Sequence, residues 1–195
     1  MRGARKPAGR ISARETIENT PRIKTHEMAW VKYKKKPGKI FPYAKRRYKQ
    51  MVRFRGRSSR VRSYIHSHTP TGRKISSRPS AYDYALVFEE WRLYKTRKSH
   101  IIVISPSGKV MGYFSMMTGK RTKKLSRKTI EAIAKKLAEY DRLMNQKMKN
   151  NEKKKIVKEA KKLLKTLIDE KLLLIRTTPM PGFAFNKNKR EFVKK

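Results

Sequence analysis

The chain has 195 residues and no Cys, and its 54 Lys and Arg against 14 Asp and Glu leave a formal net charge of +40. The missing Cys excludes disulfides, zinc ribbons and thiol chemistry, and apolar runs such as 101–104 and 172–175, four residues each, fall far short of the roughly 20 that a membrane span needs. So positive a chain repels itself when compact, and the simplest counterweight is nucleic acid, whose closely spaced phosphates release counterions on binding.

Residues 1–80 hold 24 Lys and Arg against three acids, Glu15, Glu18 and Glu27. Pro and Gly punctuate them from Pro7 to Pro79, and the apolar residues follow no sustained period. Such a segment cannot bury enough surface to fold alone, so it reads as an extension that orders only against a partner. Its first 14 residues are basic and free of acids. They resemble a mitochondrial targeting segment, the other reading being an arm that penetrates RNA.

The densest basic signal carries Arg46, Arg47, Arg53, Arg55, Arg57, Arg60 and Arg62. Arg presents a planar fork of donors to phosphate, and the interleaved Tyr48, Phe54 and Tyr64 suit stacking on unpaired bases. His66 and His68, with His26 and His100, raise a metal reading, but the sequence beside them holds no cluster of carboxylates or Cys. No metal site is expected; hydrogen bonding to RNA or to local structure is.

Residues 81–98 change character. Tyr84, Val87, Phe88, Trp91 and Tyr94 recur at spacings of three and four, which predicts an amphipathic helix, read as a linker. A hairpin follows: the β-branched run 101–104, turn chemistry at Ser105-Pro106-Ser107-Gly108, and a returning strand over 110–115 with Tyr113 and Phe114. A basic loop then offers Lys120, Arg121, Lys123, Lys124, Ser126, Arg127 and Lys128. Ser126 is placed to cap a helix, whose N-terminal amides favour phosphate.

That helix shows Ile130, Ile133, Ala134, Leu137 and Ala138 on one face and reaches toward Met144 and Met148. Asn150 or Asn151 marks a break and cap. A second helix carries Ile156, Val157, Ala160, Leu163, Leu164, Leu167 and Ile168 on one stripe. Residues 172–175 form a short apolar strand, and Thr178-Pro179-Met180-Pro181-Gly182 ends regular structure. A basic tail, 183–195, offers Lys187, Lys189 and Arg190. The fold class is therefore α/β: a small mixed sheet with two packed helices over 99–182, a long basic N-terminal extension and a basic C-terminal tail.

Asp83, Glu89 and Glu90 are the only acids between Glu27 and Glu131. That sparsity argues against two-metal nuclease chemistry. No nucleophile elbow or phosphate loop is present either. The expectation is a protein that is not an enzyme, with no cofactor and no small-molecule substrate.

From Ser99 onward the chain resembles the universal small-subunit ribosomal protein eleven family. Gly112-Tyr113-Phe114-Ser115 stands in the family's second strand, Gly119-Lys120-Arg121 and Ser126-Arg127-Lys128 in its basic loop, residues 130–140 in its helix, and Thr178-Pro179-Met180-Pro181 at its exit. Where that family has a further strand and a Gly-Pro-Gly loop between its helices, this sequence has residues 147–155 without Gly or Pro. The resemblance implies a divergent mitochondrial member in the platform of the small subunit. Its partners would be ribosomal RNA, neighbouring small-subunit proteins and messenger RNA near its exit, with no membrane. The alternatives are another ribosome-containing compartment, a lineage-specific ribosomal protein, and a DNA-compacting nucleoid protein.

Overall fold

The computed structural model describes residues 13–20, 23–24, 27–34, 41–42, 61–68, 78–95, 98–146, 148–188 and 191–195. Its elements in chain order are α1 (Ala13–Glu18), β1 (Ala29–Tyr33), β2 (Phe41–Pro42), β3 (Val61–His68), α2 (Ala81–Tyr94), β4 (Lys98–Ile104) and β5 (Val110–Thr118). A 3₁₀ turn (Lys120–Lys124), α3 (Arg127–Met144), α4 (Asn150–Asp169), β6 (Leu173–Pro179), β7 (Phe183–Asn186) and β8 (Glu191–Lys194) complete it.

The main sheet is mixed, in the order β2-β1-β3-β4-β5-β6. β3 and β4 are parallel, joined through α2, and the other neighbours are antiparallel. This is the small α/β fold the sequence predicts, with the order strand, strand, helix, helix, strand over β4 to β6.

The sheet begins earlier than expected, however. β1 and β3 lie within the stretch read as an extension, and β3 stands in the centre beside β4. Trp30, Val31 and Tyr64 are buried there. The boundary at 80 fails because these strands bring only four and three apolar residues, amid dense positive charge. Their burial comes from β4 and β5, distant in sequence. Nor is α2 a linker. Val87 and Phe88 are essentially inaccessible, and its stripe packs on α3 and on Ile101, Phe114 and Met116 of the sheet. A second cluster of Ile17, Ile23, Trp30, Ile65, Ile102, Ile104 and Val110 is built around α1. Glu18 Oε1 accepts from the Val110 amide at 2.8 Å there.

The hairpin turn is as read: Gly108, at φ 86°, donates its N–H to the Ser105 carbonyl at 2.9 Å. α3 stops at Met144, short of Met148. Asn150 is the first residue of α4 and not its cap, which is Lys149 without a side-chain bond. Among the described residues no strand lies between α3 and α4, and β6 pairs directly with β5. The expected tail is a second correction. β7 and β8 pair as a hairpin, and Phe185 and Phe192 pack edgewise on Phe114 at centroid distances of 5.7 and 5.4 Å. Phe183 and Phe185 lie two apart on one strand, so both reach the same face.

Candidate metal centre and basic surface

Three side chains from two elements converge at the C-terminal end of β3. Side chains two apart in a strand share a face, so His66 and His68 both point toward the helical layer. Asp83 comes down to meet them from the first turn of α2. His66 Nε2 is 3.0 Å from Asp83 Oδ1, His68 Nε2 is 3.6 Å from Asp83 Oδ2, and the two Nε2 atoms are 3.3 Å apart. All three residues are buried.

The capping of α2 aims the carboxylate. Ser80 is the N-cap: its hydroxyl accepts from the Asp83 amide at 3.2 Å, and Asp83 Oδ2 accepts from the Ser80 amide at 2.6 Å. This reciprocal box fixes the side chain of the third helical residue. One oxygen serves the cap, and the other is left facing His66.

Glu27 joins from the opposite side. Ala29 pairs with His66 across β1 and β3, and the Ser67 amide donates to the Met28 carbonyl at 2.8 Å. Cross-strand partners share a face, and the run into β1 brings Glu27 within electrostatic reach of His66 and Asp83.

The electrostatics agree. Burial pushes the Glu27 carboxyl up to about 7, with the Asp83 charge adding to the rise and His66 opposing it. For Asp83, burial raises the carboxyl, but the His66 hydrogen bond, the His66 and His68 charges and the Ser80 amide outweigh it and hold it at about 2. For His66, burial lowers the imidazole, and the Asp83 bond with the Asp83 and Glu27 charges overcomes that, so it is raised.

As it stands, an imidazole proton bonds His66 Nε2 to Asp83 Oδ1; a metal ion held by all three side chains is the other occupant their chemistry allows. Zinc bonded at about 2.0–2.1 Å to His nitrogen and carboxylate oxygen takes tetrahedral geometry, which places its ligand atoms about 3.3 Å apart. The two Nε2 atoms, 3.3 Å apart, and His66 Nε2 with Asp83 Oδ1, 3.0 Å apart, lie near that value, while His68 faces the other carboxylate oxygen at 3.6 Å. Among the described residues this is the cluster able to hold a metal ion.

The sequence alone argues against this site for want of nearby carboxylates. Yet Glu27 and Asp83 are two of its few acids, and the fold brings both to the histidines. The available signal is His66-x-His68 in a β-branched and aromatic run, followed by the capping pattern Ser80-x-x-Asp83.

The basic residues fall elsewhere. Lys120, Arg121, Lys123 and Lys124 are exposed on the 3₁₀ turn. Buried Thr122 anchors it, its hydroxyl donating to the Leu172 carbonyl at 2.8 Å. Ser126 caps α3 as expected, accepting from the Thr129 amide at 3.0 Å, and Arg127 and Lys128 are exposed beside it. These seven positions form one continuous corner. Arg62 is exposed on β3 and Lys187 follows β7, so each stands on a separate element. Arg46, Arg47, Arg53, Arg55, Arg57, Arg60, Lys189 and Arg190 lie outside the described residues, as does His26. His100 stands apart from the cluster, its Nδ1 2.9 Å from Ser115 Oγ.

Fold and site together define a mixed α/β protein with a buried two-histidine, one-carboxylate centre. Comparison with protein-family models, curated proteins and solved structures finds no match. No helix among the described residues is long and apolar enough to cross a membrane.

Proposed function

We propose that this protein binds a zinc ion at the buried cluster of His66, His68 and Asp83, a ligand set of the kind hydrolytic zinc sites use. The convergence of His66, His68 and Asp83 beside Glu27 carries this reading. Two histidines and one carboxylate are the ligand set of many catalytic zinc sites, in which water or substrate takes the fourth position, whereas structural zinc sites are closed by four protein ligands. Bound there, zinc would supply a water acidified toward neutral pH and a Lewis acid for a carbonyl oxygen. Glu27, buried and electrostatically coupled to His66 and Asp83, would be the residue to take a proton from that water and pass it to a leaving group. Ser80 acts as a positioning residue by fixing Asp83. Phosphodiester cleavage by paired metals about 3.5–4 Å apart needs further carboxylates, which the described cluster does not include.

The test is metal content and turnover in the purified full chain. Stoichiometric zinc in the wild type, zinc lost in Asp83→Ala, and zinc kept but hydrolysis of quenched fluorescent peptides lost in Glu27→Gln support the reading. A wild-type chain that takes up no zinc from a buffered zinc solution overturns it.

A second reading follows from the corner of exposed cations at 120–128 and the charge of +40: a structural constituent of a mitochondrial small ribosomal subunit, bound to ribosomal RNA. It rests on that charge and on the resemblance over 99–195. Sucrose-gradient fractionation checks it, since residence on a free small subunit is expected and absence from both subunits refutes it. The two readings are compatible in one chain, with the metal centre and the basic corner on different elements.

A further inference from the structure

α4 is thinly covered for a helix of its length. Its apolar stripe runs the length of the helix, yet of that stripe only Leu167 is fully buried. Ile168 is 39 % exposed, and Val157, Ala160, Leu163 and Leu164 are half-buried. Between this stripe, α3 and β6 runs a groove of about 640 Å³, floored by Phe114, Leu137, Leu164, Ile175 and Phe185. Three cations, Arg78, Lys161 and Lys187, stand among its lining residues, and no acid does. A second concavity on α4, of about 460 Å³, adjoins it through the shared Val157 and Lys161 and adds Lys153, Lys154 and Lys158.

We propose that this groove binds one single-chain anionic amphiphile, a fatty acid, with its acyl chain against Phe114, Leu137, Leu164 and Phe185 and its carboxylate on Lys161. Small-molecule sites have volumes of about 300–1,000 Å³, with mostly apolar walls and a few placed polar groups; this groove has that size and that division. The groove is open along one side, and its walls are mostly apolar. The charge selects among occupants. An apolar peptide or a second copy of this chain, itself at +40, gains nothing from a rim of cations only, whereas an anionic head does. The inference is independent of the metal centre and of RNA binding.

The probe is cis-parinaric acid, titrated into the full-length protein below the concentration at which the acid forms micelles. Saturable binding near one per chain, competed by palmitate and not by the neutral alcohol of the same length, is expected. Ala160→Phe fills the groove and should weaken binding at least about tenfold at an unchanged melting temperature. Lys161→Glu should weaken it too while leaving the fold intact. Three results overturn the proposal: no saturable binding, equal affinity for acid and alcohol, or uptake only on vesicles of phosphatidylglycerol, which would make the face a membrane surface. A concentration-dependent dimer that Ala160→Phe dissociates would overturn it as well, in favour of a second copy.

Discussion

His66 Nε2 lies 3.0 Å from Asp83 Oδ1, across the loop that joins the central strand β3 to α2. The strand supplies the imidazole and the helix cap supplies the carboxylate, so the centre forms only when β3 and α2 are docked. Metal binding should therefore act as folding energy. Zinc held a hundredfold above its dissociation constant should stabilise the chain by about 2.7 kcal/mol. For a chain of this size that is roughly 5–10 °C of melting temperature. Calorimetry of chelator-stripped protein with and without zinc measures it, and coincident transitions would exclude a bound metal.

Asp83→Asn separates the two roles of that side chain. The amide oxygen still accepts from the Ser80 N–H, so the cap of α2 survives, while the charge facing the imidazoles is gone. Zinc affinity, read by competition with a chelating dye, should fall by at least about a hundredfold. Ser80→Ala should do the reverse. Losing the cap hydroxyl costs about 1 kcal/mol in denaturant unfolding, with a smaller loss of zinc affinity because Asp83 is less firmly held.

The legible parts of the fold are those whose signals are local. The hairpin at 101–115, the two amphipathic helices and the Ser126 cap each rest on residues within a few positions of one another. β1 and β3 are not legible in this way, because Trp30 and Tyr64 are buried by partners far along the chain. The candidate metal centre is hidden for the same reason. His66 and His68 look unaccompanied until α2 places Asp83 over them and the run into β1 brings Glu27 within electrostatic reach of His66. The β7–β8 hairpin is obscured by its charge, which outweighs Phe183, Phe185 and Phe192 in any compositional view.

Gly112 tests that hairpin. A Cβ built there would lie 2.2 Å from Cε1 of Phe192, so Gly112→Ala must push the ring off β5 and break its packing on Phe114 and Phe185. The loss should be about 2–3 kcal/mol, in the range of overpacked cores. Phe192→Leu in the same background should restore part of it. Urea denaturation of the two variants and the wild type decides the matter, and a harmless Gly112→Ala would mean that the tail does not seat on the sheet.

His100 gives a pH dependence apart from the metal centre. Burial lowers its imidazole to about 4, with Lys98 and Lys32 adding to the effect. The unfolded chain binds the proton from about pH 6.5 downward, while the folded chain refuses it until about pH 4. Stability is therefore complete above pH 6.5, falls as the pH drops through this window, and levels off below it. His100 contributes at most about 3 kcal/mol to that fall, at about 1.4 kcal/mol for each pH unit between the two values. The difference in unfolding free energy between wild type and His100→Gln, followed from pH 7 to pH 4, isolates this contribution from the carboxylates; a constant difference would refute it.

The basic corner makes a prediction that charge alone does not. Thr122 and Gly119 tie the 3₁₀ turn to Leu172 through bonds of 2.8 and 2.9 Å, so Lys120, Arg121, Lys123 and Lys124 project from a fixed platform. If all four meet phosphates, changing them together to Ala should reduce the slope of log affinity against log salt by about 3–4, near 0.7–0.9 for each phosphate no longer neutralised. Gly119→Ala keeps every charge. Its Cβ would lie 1.7 Å from the Lys171 carbonyl oxygen, so the platform must move, and affinity for structured RNA should fall while the total charge is unchanged. Filter binding from 50 to 200 mM salt, run on both variants and on the wild type, distinguishes the cases. If Gly119→Ala binds as the wild type does, the chain holds RNA by net charge alone, and the ordered corner is not its binding surface.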